Sequence, residues 1–344
     1  MSSRSFHVES GYSLPGSPDL QRIENPSSGA WLSFRKGLRP KYGTIWRDIA
    51  VCLLMAVGGF ASHVFLTMRR GNAFGLEIGI LFAIWIGFWL NAILTFGHEA
   101  AHYNLAPTHR WNDALADWSI WLFFPQSTRA YRRSHWQHHL HLGDPQDTEI
   151  SYHNCLSPWF LAKTLTGGHL ALLVFRYVLG RRSTDTAAES QGDSSALVPL
   201  GITPILRAMA AHSLFVGVAI ALGCFASAIV WLASAVLIFP FFASMRQLLE
   251  HRSSEAACEI DFRQVHHGPV NRMFGTDLFS KYFGAAGFNW HLLHHWDPTV
   301  SYTRFDDMQK FFAGTEYGED IERARSTYWA ASVLLLRRAL DGSR

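Results

Sequence analysis

Cysteine is scarce in this 344-residue chain, and its four copies (Cys52, Cys155, Cys224 and Cys258) include no CxxC pair. That scatter argues against a disulfide framework and against a thiolate metal site, so the expectation is reduced thiols, facing a reducing compartment or buried in a membrane. Charge is sparse too. Asp, Glu, Lys and Arg make up 17% of the residues, and the formal net charge is only +3. A balance so close to neutral gives no case for nucleic acid as a partner. The first 44 residues lack the early apolar core of a secretory signal peptide and are instead polar and rich in Ser, Pro and Gly. Residues 1–30 read as flexible, and Arg181 to Ser195 reads as an exposed linker.

Apolar residues fill the space that charge leaves, at 49% of the chain. Ile49–Met68 is free of charge, and Phe74–Phe96 carries only Glu77. Ala208–Met245 is about twice as long, carries no Asp, Glu, Lys or Arg, and divides near Gly223–Ser227. Roughly 20 apolar residues cross a bilayer core as a helix. The spacing therefore predicts an all-α integral membrane protein with four transmembrane helices in two hairpins. The spans lie at about 49–68, 74–96, 208–226 and 228–245, within a membrane domain of 45–310. A cap built from 97–207 and 246–310, both termini and a helical tail at 311–344 then share one side. Of the 30 Lys and Arg, just Arg69 and Arg70 fall on the other side, so the larger side is cytoplasmic. The matching locations are a bacterial inner membrane or the endoplasmic reticulum. Cys155–Val178 and Asn112–Phe124 are apolar but interrupted, and are expected along the interface.

Histidine is concentrated in three clusters: His98-Glu-Ala-Ala-His102, His135-Trp-Gln-His138-His139 and His291-Leu-Leu-His294-His295. Neutral imidazole is the commonest metal ligand, and helical residues three and four apart share a face. HxxxH aims two rings at one point. HxxHH aims three, with the adjacent pair diverging by about a quarter turn, which suits two neighbouring metals. A ninth candidate, His251, follows the last span, with Gln247 one turn earlier and able to hold a metal-bound water. Asp147 and Glu149 follow the second cluster and could orient imidazole N–H groups, as could Asn289 before the third. Arg129, Arg132 and Arg133 flank the second cluster and could dock an acidic carrier or a headgroup. Trp290 and Trp296 are candidate walls for a substrate tunnel. HEAAH also fits the HExxH zinc-protease pattern, with Glu99 as general base, but a zinc site of that kind leaves both HxxHH clusters unexplained. The isolated His7, His63, His109, His153, His169 and His212 read as structural or solvent-facing.

With HEAAH, HWQHH and HLLHH in that order, and two apolar spans between the second and third, the chain resembles the integral-membrane fatty acid desaturase family over roughly residues 90–300. Asp147-Thr-Glu149 and Asn289 are similar to that family as well. The resemblance implies a four-helix membrane domain with a cytosolic cap and two irons. It carries ligand roles to His98, His102, His135, His138, His139, His291, His294 and His295, and places Gln247 and His251 where acyl-CoA desaturases hold an Asn and an extra ligand. The third box opens with His rather than Gln, unlike front-end desaturases, and no His-Pro-Gly-Gly haem signature occurs. The activity it implies is O2-dependent insertion of a C=C bond into a lipid or acyl-thioester. Electrons would come from ferredoxin, rubredoxin or cytochrome b5 with a reductase. A hydroxylase or ketolase of fatty acyl, sphingoid or carotenoid substrates is the nearest alternative on the same scaffold.

Overall fold

The computed structural model describes residues 14–168 and 201–341, which are mostly helical. His7, His169 and the Arg181–Ser195 stretch lie outside the described residues, as do residues 169–178 of the apolar segment that begins at Cys155. A two-residue ladder pairs β1 (Glu24–Asn25) with β2 (Gly29–Ala30) and leads into α1 (Trp31–Phe34). The long helices are α2 (Tyr42–Arg70), α4 (Gly79–Ala101), α8 (Ile202–Ala221) and α9 (Phe225–His251), with α3 (Asn72–Glu77) between the first two. Each of the four is long and apolar enough to cross a membrane.

The helices run further than the apolar pattern suggests. α2 starts ahead of Ile49, α4 carries on past Phe96 through His98, and α9 ends at His251. Polar residues can extend a helix that the apolar core has already nucleated, because each added residue gains a backbone hydrogen bond. The break after α8 comes at 222–224, at the start of the Gly223–Ser227 stretch, and there Gly223 takes a left-handed φ of 70°. The short connection at 69–73, between the first two predicted spans, is mostly helical, and Asn72 ties it to the other turn. Its Nδ2 donates to the Gly223 carbonyl at 2.9 Å, and its Oδ1 accepts from the Ala226 N–H at 2.9 Å.

α2 lies along α4, and α9 packs against α4 and α8. Phe60 meets Phe215 and Trp231 edge-on, and those two rings stack at 3.8 Å. His63 is buried between Ser227 Oγ (2.8 Å) and the Gly75 carbonyl (2.9 Å), and is a satisfied core histidine. Within α9 a π turn spans Ser234–Ile238. It ends two residues before Pro240, whose missing N–H breaks the regular ladder. Leu54, Leu81, Leu214 and Ile229 are all exposed on the outer faces, the reverse of a soluble amphipathic helix.

The shorter helices gather around the ends of α4 and α9. They are α5 (His109–Ser119), α6 (Thr128–His141), α7 (Pro158–Leu165), α10 (Leu278–Phe283), α11 (His291–Trp296), α12 (Phe305–Ala313), α13 (Gly318–Arg323) and α14 (Tyr328–Asp341). α5 buries Asn112 and Ala116 while exposing Trp111 and Trp118. Tyr328 of α14 stacks on Phe274 at 3.8 Å and shares a core with Leu248 and Leu249, so the C-terminal helix is docked on the domain.

Two sequence expectations fail here. The N-terminal segment, read as flexible to residue 30, is tied down from residue 17 onward. Ser17 Oγ donates to the His295 carbonyl at 2.8 Å, and Asn25 Nδ2 donates to the Phe311 carbonyl at 2.6 Å. Its partners lie more than 270 residues away, so local composition carries no sign of them. Cys155 and Cys258 form a disulfide rather than two free thiols. The 103 residues between them hide the pairing from any spacing rule. Cys52 and Cys224 are free and buried, as expected.

Candidate metal centre

The first histidine cluster rides on the last turn of α4. Gly97 is required there because a Cβ would collide with the Trp121 ring. Beyond His102 the chain turns at Tyr103, a non-glycine residue at φ 62°. The buried end of α4 is capped from two sides. Asn112 Nδ2 donates to the Ala100 carbonyl at 2.8 Å, and Arg132 donates to the carbonyls of Ala101 (2.8 Å) and Ala100 (2.9 Å). Cationic and amide donors at a helix C-terminus satisfy carbonyls that lack intrahelical partners. Arg132 also pairs with Asp113 and lies 3.8 Å from the centre of the Tyr103 ring. Of the three arginines offered as a docking site, Arg132 is therefore committed to the fold, while Arg129 and Arg133 are exposed.

α6 carries the second cluster. Ser127 caps its start by accepting from the Ala130 N–H, and Gly143, at φ 82°, follows its end. The third cluster is α11. It is preceded by two consecutive left-handed residues, Ala286 (φ 52°) and Gly287 (φ 84°). A Cβ on Gly287 would strike Tyr302 and Phe305. This tight reversal turns the Phe288 ring onto His98 (4.4 Å between centres) and His291 (5.0 Å). Asp297 closes α11 by accepting from Trp31 Nε1 at 3.0 Å and from Arg35 at 2.8 Å.

All nine candidate histidines are buried, and they separate into two groups. His98, His102, His135, His139 and His294 form one; His138, His251, His291 and His295 form the other. Each HxxHH box is split between the groups in the same way. Its first and fifth residues share a group, and the fourth belongs to the other. Helix geometry explains the division. At about 100° per residue, positions i and i+4 lie about 40° apart, whereas i+3 and i+4 lie about 100° apart.

The ring nitrogens converge. His98 Nε2 is 2.8 Å from His294 Nε2, which is 2.9 Å from His139 Nε2, which is 2.9 Å from His135 Nε2. In the second group His291 Nε2 is 2.9 Å from His251 Nε2 and 3.1 Å from His295 Nε2. Two nitrogens bound to one metal at about 2.1 Å and a right angle would be about 3.0 Å apart. Several buried nitrogens have no hydrogen-bond partner among the described residues, including both of His102 and Nε2 of His138. Leaving such atoms unpaired costs about 1–3 kcal/mol each, and a metal ion removes that cost. The donor set fits a pair of imidazole-bound metals.

Electrostatics agree with that fit. Burial, and then neighbouring imidazoles, hold His139, His294 and His295 well below the ordinary histidine range. His102 is lowered by burial, His135 and Arg132. These rings are neutral at physiological pH and their lone pairs are free for a metal. Carboxylates hold two of the rings from behind: His138 Nδ1 donates to Asp147 at 2.9 Å and His135 Nδ1 donates to Glu149 at 3.1 Å. His138 is the exception: burial works to lower its pKa, but Asp147 and then Glu149 outweigh it and push it up to about 9, so this ring has to release a proton before it can bind a metal. Tyr152 OH donates to the other Asp147 oxygen. His251 Nδ1 donates to the Val270 carbonyl at 2.9 Å, which aims Nε2 inward.

Other candidates take different places. Gln247 Nε2 donates to Glu149 at 2.7 Å and its Oε1 accepts from the Ser151 N–H at 2.9 Å. Its amide thus braces a carboxylate that itself holds His135, which differs from the water-holding role expected of it. Asn289 Nδ2 donates to the Gly275 carbonyl at 3.1 Å and fixes the approach to α11. Glu99 is buried and accepts from Ser301 Oγ at 2.9 Å, so the glutamate of the HExxH pattern is held by the fold. Trp296 is a core residue against Phe312 and Tyr317, not a tunnel wall. One residue near the site went unremarked in the sequence: Glu250, buried, 2.6 Å from Arg246 and 4.0 Å from His291 Nε2. The i, i+4 pairing of Arg246 with Glu250 next to His251 is the signal that could have found it.

Carboxylates behind metal-binding imidazoles typically contribute 10–100-fold to affinity or activity. Asp147→Asn should lower metal affinity by about that factor while leaving the fold intact. Competition with a chelator on the purified protein reads the effect, and an unchanged affinity would remove Asp147 from the site.

Two comparisons with known proteins bear on this arrangement. A family model described as fatty acid desaturase matches residues 77–316, which takes in all three histidine boxes and His251. The chain is also 26% identical over 241 residues to dihydrorhizobitoxine desaturase of Bradyrhizobium elkanii, a match covering 65% of this chain and 65% of that protein. The family match extends over well more than half the sequence and carries every histidine in the two groups: the chain belongs to the fatty acid desaturase family.

Proposed function

We propose that this desaturase-type oxidoreductase is an O2-dependent enzyme with two irons, inserting a C=C bond into the alkyl chain of a lipid or acyl-thioester. One observation carries the reading: nine buried imidazoles form two adjacent groups, of five and four. Imidazole suits iron, and zinc has no redox chemistry to offer an unactivated C–H bond. Bound iron would supply the oxidant, made from O2, that removes hydrogen from a methylene.

The chain's own residues bind and orient. His98, His102, His135, His139 and His294 would hold one iron, and His138, His251, His291 and His295 the other. Asp147 keeps the proton of His138 on Nδ1 so that Nε2 faces inward, and Glu149, braced by Gln247, does the same for His135. Phe288, pressed by the Arg246 guanidinium 3.8 Å from its centre, packs over His98 and His291 and keeps water from that side. The four long helices would cross the membrane as two hairpins, with the cap, both termini and the histidines on the cytoplasmic face of a bacterial inner membrane or endoplasmic reticulum. Two electrons per turnover would come from ferredoxin, rubredoxin or cytochrome b5 with a reductase, for which Arg129 and Arg133 offer cationic contacts.

Product analysis of cells expressing the chain tests the activity. A new lipid or acyl species lighter than its precursor by two hydrogens is expected. A product heavier by one oxygen would instead assign hydroxylation to the same centre.

A further inference from the structure

α6 presents a stripe outward as well as its histidines inward. Arg129, Arg133, Trp136 and Leu140 fall at i, i+4, i+7 and i+11, within about 60° of one another around the helix. Arg129, Arg133 and Leu140 are exposed, and Trp136 is half-buried. The buried His135, His138 and His139 fill the other side. α6 has no Asp or Glu, and both acids of the neighbouring α5 are committed inward. Asp113 pairs with Arg132, and Asp117 accepts from the Thr128 N–H at 2.8 Å. The stripe is therefore cationic, and neither of its arginines has an ion-pair partner among the described residues.

Trp136 joins that stripe to the metal centre. Its ring centre lies 5.3 Å from that of His102 and 5.6 Å from that of His139, two members of the same group. The Phe and Tyr rings against the nine histidines do not lead outward in this way. Phe288 and Tyr152 are buried. Tyr131, stacked on His135, packs into the apolar core with its ring centre 5.0 Å from that of Trp121. Electron tunnelling weakens steeply with distance, so a carrier has to dock where a π system reaches from the surface to the ligands. Cations around such a point steer an oppositely charged partner to it, and electron-transfer encounters need only a small interface.

We propose that Trp136 is the point of electron entry, and that the stripe seats a one-electron carrier whose redox group is ringed by acidic side chains. The carrier's acids meet Arg129 and Arg133, and its apolar centre meets Leu140 and Trp136. Each electron passes through the indole to the group of five histidines, so that group's metal is reduced first. The carrier is oxidised by one electron per transfer, and Trp136 ends unchanged. Two transfers supply the two electrons that, with two protons, one O2 and two hydrogens from the substrate, leave as two waters. The inference rests on the desaturase reading, which creates the need for electrons. Anionic lipid is the other candidate for the arginines, because the Gln126 carbonyl just before α6 accepts from Arg207 near the start of α8. A headgroup would neutralise the arginines without using Trp136, and that favours the carrier.

The probe is a soluble, acidic two-iron ferredoxin, mixed in its reduced form with the oxidised, iron-loaded full-length chain in detergent. Stopped-flow absorbance follows its reoxidation. Dithionite, a small reductant that needs no docking surface, is the reference. Arg129→Glu combined with Arg133→Glu should slow the ferredoxin reaction at least about 10-fold at low salt, and the gap should close near 0.5 M salt, where exposed charges are screened. Trp136→Leu should slow it at least about 10-fold at every salt concentration, with ferredoxin affinity by calorimetry changed less than about 3-fold. Trp136→Phe should recover most of the rate. Iron content and the dithionite rate should stay level throughout. A dithionite rate that falls equally in Trp136→Leu would make Trp136 a packing residue and overturn the proposal. So would an unmodified chain that dithionite reduces and ferredoxin does not. Unchanged ferredoxin kinetics in the charge-reversed variant, with lost binding to phosphatidylglycerol vesicles, would overturn it in favour of lipid. Iron content keeps the two readings apart: a full, dithionite-reducible complement indifferent to these substitutions sinks the entry point and leaves the desaturase reading standing, whereas a chain that takes up no iron defeats both.

Discussion

Alanine at His138 and alanine at His139 are expected to abolish product equally but to deplete metal unequally. The two residues are neighbours in sequence, yet they serve different groups. His138 belongs to the group of four, which its loss reduces to three; His139 belongs to the group of five, which its loss leaves with four. The His138→Ala protein should therefore lose close to one iron per chain, and His139→Ala should retain most of both. Product formation should fall at least about 100-fold in each, since a direct ligand matters more than the 10–100-fold typical of its hydrogen-bonded supports. Elemental analysis of the purified variants, with product measured in parallel, reads both effects. Normal helicity and membrane insertion would show that the loss is local. Equal metal loss in the two variants would contradict the division of each HxxHH box between centres, and undiminished product would remove the residue from the site.

Trp31→Ala is expected to cost about 3–5 kcal/mol of stability, the usual price for truncating a fully buried large aromatic side chain. Trp31 is wholly buried although it lies in the polar N-terminal segment. Its ring packs on Phe311 (5.0 Å) and Phe312 (4.8 Å), and its Nε1 donates to Asp297 at the end of α11. The variant should unfold earlier in chemical denaturation followed by circular dichroism, and it should bind metal less well because Asp297 directly follows the third box. A stability change under about 1 kcal/mol, as for an exposed site, would show that the N-terminal segment is not anchored.

The contrast between these two predictions shows what a linear sequence can carry. The histidine boxes were legible because their chemistry depends on local spacing: a helix converts offsets of three and four into a shared face. The four apolar helices were legible for a similar reason, since charge-free length alone marks them. Contacts between distant segments were not. Trp31 meets Asp297, Asn25 meets Phe311, and Cys155 meets Cys258, and in each pair neither residue's neighbours hint at the other. Arg132 shows a subtler limit. Its place beside a histidine box made it a candidate for recognising a partner, yet it caps the carbonyls of the helix that carries the first box. A cation beside a site and a cation that builds the site have the same sequence. Gln247 likewise occupies the expected helical position, one turn before His251, but its amide reaches Glu149 because that loop folds back across it.

The most direct test counts the metals. Purified full-length protein, expressed with excess iron and freed of loosely bound ions, is analysed for iron and zinc per chain. Two irons and negligible zinc are expected from two histidine groups that share no ring. A single metal per chain, or stoichiometric zinc without iron, would contradict the reading of this cluster as a paired oxygen-activating centre.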